Sequence, residues 1–205
     1  MDVLFSIDEK GLLTNAEFDD TAGLEYDDEF EDIADYLHKT AAVVPDGVTR
    51  IGDRAFHDKR WLTGVTMPGS VASIGSEAFA DCNYLTSVVM RDSVTAIGAR
   101  AFAWCESLAV ISVSGGVTRL EEMTFYSCSA LEKVAVPDSV AEIGDKAFAY
   151  CGLLKGVMLR ENVKSIADNA FSGCGGEFMI YAKAGSFAEK YAVRNSFRFE
   201  AVDVH

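Results

Sequence analysis

The sequence predicts an α/β repeat solenoid, in which short coils stack and together build one parallel β-sheet. Three observations carry this reading. All five cysteines, Cys82, Cys105, Cys128, Cys151 and Cys174, follow one another at a step of 23 residues. A column of phenylalanines, Phe56, Phe79, Phe102, Phe125, Phe148 and Phe171, keeps the same step. In LTSVVMRDS, Val88 and Met90 alternate with Ser87, Val89 and Arg91, the period of two that marks a strand with one buried face.

The chain opens with an acidic segment. Residues 1–46 hold fourteen Asp and Glu against Lys10 and Lys39, a net of −12, and the other 159 residues carry only −2 of the total −14. Within it, DDEFEDIADYLHK places Phe30, Ile33, Ala34 and Leu37 at helical spacing, with acids in the first turn where the helix dipole favours them. This predicts a helix that packs on the first coil, so residues 1–41 are expected to form an N-terminal segment with a capping helix. AAVVPDG then matches the strand end GVTMPGS one unit later, which predicts an extra strand near Ala42 to Val44.

Six units of 23 residues follow, beginning at Val48, Val71, Val94, Val117, Val140 and Val163. With the extra strand they make a repeat region over 42–185. Each unit supplies an apolar residue three positions after the Val (Ile51, Ile74, Ile97, Leu120, Ile143, Ile166), then commonly Gly, then the Phe, and later Val65, Val88, Ile111, Val134, Val157 and Ile180. One strand per unit is expected on a concave sheet. In IGSEAF the Gly breaks the extended run and a small or polar residue can start a turn of helix, so a short helical turn is expected on the convex side. Such a coil cannot bury its apolar residues alone, and stacking at about 4.8 Å does it for all of them at once. After the repeats, residues 186–205 are expected to close the stack. Ser186 can cap a helix to about Asn195, with Phe187 and Tyr191 one turn apart, and FRFEAV alternates like a final strand.

The pattern V-T-x-I-G-x-x-A-F-x-x-C-x-x-L-x-x-V-x-x-P-x-S closely resembles the BspA-like class of leucine-rich repeat, over about residues 42 to 185. GSFAEKYAVRNSFRFEAV is similar to the closing segment of that family. The resemblance implies a right-handed, curved solenoid, generally bacterial, often a surface protein that binds other proteins, including host matrix proteins. Three units depart from the pattern. The fourth has Glu121 for Gly and Thr124 for Ala, which predicts a reshaped turn. The sixth has Glu177 where Leu would fall, followed by Phe178, which predicts a local shift, and the first has Lys59 for Cys.

Several kinds of chemistry fit this sequence poorly. Zinc needs four ligands around one point, and a 23-residue step sets the thiols in a line, one per coil. Parallel side chains on neighbouring coils do not aim their Cβ atoms at each other as a disulfide requires, and five is an odd number. A column of small buried thiols beside the Phe is the expected role. DDTAGLEYDDEF lacks the ligand order of an EF-hand. His38, His57 and His205 are scattered, and no nucleophile elbow, phosphate loop or H-E-x-x-H occurs, so neither an enzyme nor a cofactor is expected. A pI near 4.5 without a basic run argues against nucleic acid. No apolar window reaches the roughly 18 residues of a membrane span. MDVLFSIDEKGLL has neither the basic start nor the unbroken apolar run of a signal peptide. A cytoplasmic location follows from that, with the cell surface or secretion as the alternative that the resemblance implies. A monomer is expected.

The outward strand positions remain as the candidate site. They read Gly64, Ser87, Val110, Lys133, Gly156, Met179; then Thr66, Val89, Ser112, Ala135, Met158, Tyr181; then Pro68, Arg91, Ser114, Pro137, Arg160, Lys183. Val89, Arg91, Ser112, Lys133, Ala135, Met158, Arg160, Met179 and Tyr181 are the candidate partner-binding residues, an apolar strip with basic residues beside it, suited to a protein or peptide. Ordinary sheet surface, in a structural or spacer domain without a ligand, is the alternative. Trp104 and Tyr150 share a column beside the cysteines, two units apart, either as a second patch or as cover for the neighbouring coil.

Overall fold

The computed structural model describes residues 3–18 and 40–203. Each unit contributes two strands rather than the one expected. The longer series is the predicted one: β5 (Leu62–Thr66), β7 (Ser87–Val89), β9 (Val110–Ser112), β11 (Lys133–Ala135), β13 (Gly156–Met158) and β15 (Met179–Ala182). β3 (Thr40–Val43) precedes them, with Ala42 opposite Val65, which places the extra strand where the PDG match put it. Pairing is parallel and in step with the repeat: Val65 faces Val88, Ile111 faces Val134, and Val157 faces Ile180. Hydrogen-bonded ladders join β3-β5-β7, β9-β11 and β13-β15, the last extended by β16 (Arg198–Ala201).

The second series is β4 (Arg50–Ile51), β6 (Ser73–Ile74), β8 (Ala96–Ile97), β10 (Arg119–Leu120), β12 (Glu142–Ile143) and β14 (Ser165–Ile166), again parallel from coil to coil. Two residues are too few to show an alternation in sequence. The glycine after four of the six pairs (Gly52, Gly75, Gly98 and Gly144) explains how the coils come so close there. A Cβ on Gly98 would stand 2.6 Å from the Ser76 amide nitrogen, and one on Gly75 2.6 Å from that of Asp53, distances no side chain tolerates. At the fourth coil the position is Glu121, and the ladder opens there, between β8 and β10. The turn that follows keeps the conformation of the other coils, with Met123 and Ser127 at φ of 56°, and the buried Thr124 hydroxyl donates to the Glu121 carbonyl at 2.9 Å. The irregularity expected in the turn is thus expressed in the ladder before it.

Where a helical turn was expected, the chain makes paired turns, with two left-handed residues in each of the first five coils, such as Glu77 (φ 54°) and Asp81 (φ 63°), and Gly173 alone in the sixth. A helix directs its N–H groups along its own axis to the residue four back. Here the N–H groups of Glu77, Phe79 and Asp81 point sideways and donate to the carbonyls of Ala99, Ala101 and Ala103 at 2.9, 2.8 and 2.9 Å. Coils are therefore stitched together on this side as well, which a run of helical turns would not do.

Between these layers lies the core. The six repeat phenylalanines are fully buried, and successive rings stack with centroids 4.8 to 5.5 Å apart. Burial of each Phe is worth roughly 1.5 to 3 kcal/mol. The column continues into Phe178, stacked on Phe171 at 5.0 Å, so Phe178 takes the apolar place that Glu177 vacates.

The two ends are built from different elements. The helix expected over 27–39 lies outside the described residues. An antiparallel hairpin of β1 (Val3–Ile7) and β2 (Leu12–Phe18), which no repeat signal announces, stands at the N-terminal side. β2 pairs with β4, Leu13 and Ala16 are buried, and Phe5 meets Phe56 edge to face with ring centroids 6.4 Å apart. Its turn is held by the Asp8 carboxylate, which accepts from the Lys10 and Leu12 amides at 2.8 and 2.9 Å; those two bonds hold the carboxyl below its usual range. At the C-terminal side the expected helix, α1 (Phe187–Arg194), forms with Ser186 as its N-cap accepting from the Glu189 amide at 3.2 Å. Its buried Tyr191 meets Phe171 edge to face with ring centroids 6.2 Å apart, and β16 completes the sheet edge as FRFEAV foretold.

Candidate binding faces

Parallel register lines up the outward side chains of the longer strands in two columns. Val43, Thr66 and Val89 are in register, as are Ser112 and Ala135, and then Met158, Tyr181 and Glu200. Val89, Val110 and Met158 are 43%, 57% and 43% exposed, high for apolar side chains. Val43, at 69%, lengthens the strip beyond the predicted residues. Its signal in the sequence was the same PDG match that located β3.

Met179 and Tyr181 are half-buried rather than exposed, and the Tyr181 ring lies down over Gly156, where a Cβ would sit 2.8 Å from Tyr181 Cε2. The apolar residues form two islands, Val89 with Val110 and Met158 with Met179 and Tyr181. Between them stand Ser112, Ala135 and the exposed Lys133. The basic flank is weaker than its sequence suggests. Arg160 pairs with Asp138 at 3.0 Å and Lys183 with Glu161 at 2.7 Å, whereas Arg91 is exposed and has no ion pair among the described residues. The Lys155 ammonium also sits 2.7 Å from Glu132, and that bond lowers the Glu132 carboxyl and raises Lys155. Such exposed pairs, screened by solvent, contribute little to stability.

The cysteines stand on the other side of the core. Each thiol donates to the carbonyl of the Phe one coil back, as in Cys105 to Phe79, Cys128 to Phe102 and Cys151 to Phe125, all at 3.1 Å. They are free thiols, four buried and Cys174 partly so. Burial pushes Cys82 and Cys128 up to about 12 and Cys105 well above its ordinary value, so the reactive thiolate is suppressed. They are rungs of the architecture.

Beside them Trp104 and Tyr150 are joined through Tyr126. Trp104 and Tyr126 meet at 5.4 Å with planes 71° apart, and Tyr126 and Tyr150 at 5.4 Å and 77°. Column reading missed Tyr126 because it falls one position earlier, where other coils carry His57, Ala80, Ala103 and Ala149. On the short-strand side runs an open groove of about 450 Å³ lined by Arg50, Asp53, Ser73, Ser76, Ala96 and Glu121; Asp53 is occupied in accepting from the Ser76 amide at 2.8 Å. Among the described residues no group of His, Cys, Asp and Glu is placed to hold a metal ion, and no helix is long and apolar enough to cross a membrane.

A regular coil of parallel strands, invariant apolar rungs and a face of variable outward residues defines a leucine-rich repeat protein. Such proteins are generally non-catalytic. The chain belongs to the BspA-type leucine-rich repeat family, whose model matches six copies over residues 41–178. Among solved structures it is similar to a leucine-rich repeat protein of T. pallidum, 25% identical with a TM-score of 0.59, over 81% of this chain and 88% of that one. The pneumococcal vaccine antigen PcpA shares the fold at 14% identity and a TM-score of 0.52, over 80% of this chain and 42% of that one. A leucine-rich repeat protein from Bacteroides capillosus is 30% identical over 65% of this chain and 92% of its own, with a TM-score of 0.44. No curated protein sequence matches the chain.

Proposed function

We propose that this chain is a non-catalytic protein-interaction module that takes a protein or peptide on the face of its longer strands, the concave face of a right-handed, curved stack. The observation that carries the reading is the island of Met158, Met179 and Tyr181. Adaptable methionines surround a tyrosine whose ring is seated on Gly156, the kind of anchor on which binding energy concentrates. Val89, Val110 and the exposed Arg91 continue the surface, with Ser112, Lys133, Ala135 and Arg160 between and beside them. Residues 42–185 are the recognition region, and 1–41 and 186–205 cover its ends as a monomer. BspA-like relatives that act at the bacterial surface support a surface or secreted location and a role in adhesion.

A spacer role without a ligand is the second reading. The break between the islands at Ser112 and Ala135, and the use of Arg160 and Lys183 in local ion pairs, favour it. Recovery of partners by the wild type and by a Met158→Ala/Tyr181→Ala double variant decides between them. We expect the variant to keep its unfolding midpoint within a few degrees and to lose the partner. Equal recovery by both removes the sheet face from consideration.

A further inference from the structure

The aromatic row on the turn side is not used by the sheet-face reading. Its rings alternate face and edge, at 71° and then 77°, so each pair leaves an angled notch, and the two notches are one coil apart. Tyr150 is 54% exposed, and Trp104 and Tyr126 are partly so. The rings are also held in place. Trp104 and Tyr150 occupy left-handed backbone positions, with φ of 59° and 63°, where the other coils carry Asp58, Asp81, Ser127 and Gly173. Bulky side chains are uncommon in that region. Tyr150 rests on Gly173, where a Cβ would stand 2.7 Å from its Cδ1. At the Trp104 end the surroundings are acidic: Asp81 holds the same position one coil earlier, with His57 on its other side at 3.6 Å, and the exposed Glu106 follows two residues on.

We propose that this row binds a proline-rich peptide in the polyproline II conformation, laid along the stack with a Lys or Arg beside Asp81 and Glu106. Two coil steps at strand spacing span about 9.6 Å. One three-residue turn of polyproline II advances about 9.3 Å, so a peptide running along the stack brings the same face back in phase with Trp104 and Tyr150. A pyrrolidine ring on that face meets Trp104 and its counterpart one turn on meets Tyr150, and the ligand is ordered before it binds, so a shallow surface suffices. The acidic end selects a basic residue and fixes direction. A sugar chain also stacks on aromatic rings, but it gives the carboxylates no charge to meet.

Trp104 reports on the row directly, since Trp61, the other tryptophan, is 3% exposed. The full chain is titrated with an Arg-bearing proline-rich peptide, with a peptide of equal charge in which Ala replaces Pro, and with a neutral oligosaccharide, each read by tryptophan emission. We expect a saturable change with the first peptide only. Tyr126→Ala should weaken it about thirtyfold, the scale of an aromatic hot spot, and Tyr150→Ala, at an exposed position that leaves the core intact, by a similar factor. Asp81→Asn should weaken it less and reduce its salt dependence. Tyr181→Ala, on the opposite face, should leave it unchanged, which separates this site from the sheet-face reading. No response to the proline-rich peptide, an equal response to the Ala peptide, or a response to the oligosaccharide alone overturns the proposal.

Discussion

The column from Phe56 to Phe171 and the column from Val43 to Tyr181 run along the same stack, yet one never changes residue and the other changes at nearly every coil. Inside, each ring meets an identical ring 4.8 to 5.5 Å away, so any substitution is felt by two neighbours. Outside, Thr66, Val89, Ser112, Ala135 and Met158 share one backbone geometry and have no common packing duty. Repetition marks where coils hold each other. Variation marks where the molecule is free to recognise something else.

The largest test of that contrast is Phe125→Ala, which removes the middle of the stack. We expect it to destabilise the protein by about 3 to 5 kcal/mol, the range for deleting a buried aromatic, and urea unfolding reads it directly. A denaturation midpoint equal to wild type would mean that the rings are not coupled.

That column was legible because a buried position tolerates few residues and so repeats. Other features left weaker traces. The hairpin of β1 and β2 lies outside the 23-residue step, and a period search does not reach it. The short strands have two residues each, too few for an alternation to show. The left-handed turn positions carry Arg, Glu, Met and Lys at the first place and Asp, Trp, Ser and Tyr at the second, with Gly173 the one glycine among them. At the candidate site the sequence located the outward columns, but side-chain neighbours decide what they present. Arg160 and Lys183 were read as a basic flank, and Asp138 and Glu161, from loops with no fixed pattern, neutralise them. Nothing in the letters of Tyr181 and Gly156 says that the ring of one lies over the other.

A second test uses the thiol column. Folded Cys82 and Cys128 ionise near 12 and their unfolded counterparts near 9, so the stability from keeping them neutral is complete below about pH 9 and is lost as pH climbs toward 12. The urea midpoint should fall over that interval. Replacing Cys128 by Ala should make the fall shallower, and an unchanged slope would mean that the thiol is not buried as placed. The smallest effect belongs to the outer face. Val110→Ser, at a side chain 57% exposed, should shift stability by no more than about 0.5 kcal/mol. A larger loss would show that this column, too, holds the coils together.

Glu121 gives the stack a seam. Between the third and fourth coils the short-strand ladder opens, and the rings of Phe102 and Phe125 stand 5.5 Å apart, the widest step in the repeat column. On the turn side the stitching is intact, with the Arg100 and Phe102 amides both donating across the junction at 2.9 Å. In a one-dimensional array each coil is coupled to its neighbours alone, so the weakest junction decides where cooperativity divides. The longer strands stay paired across this joint, and their ladder opens at other boundaries, between β7 and β9 and between β11 and β13, so tension along the stack meets staggered half-open joints rather than a single plane of weakness.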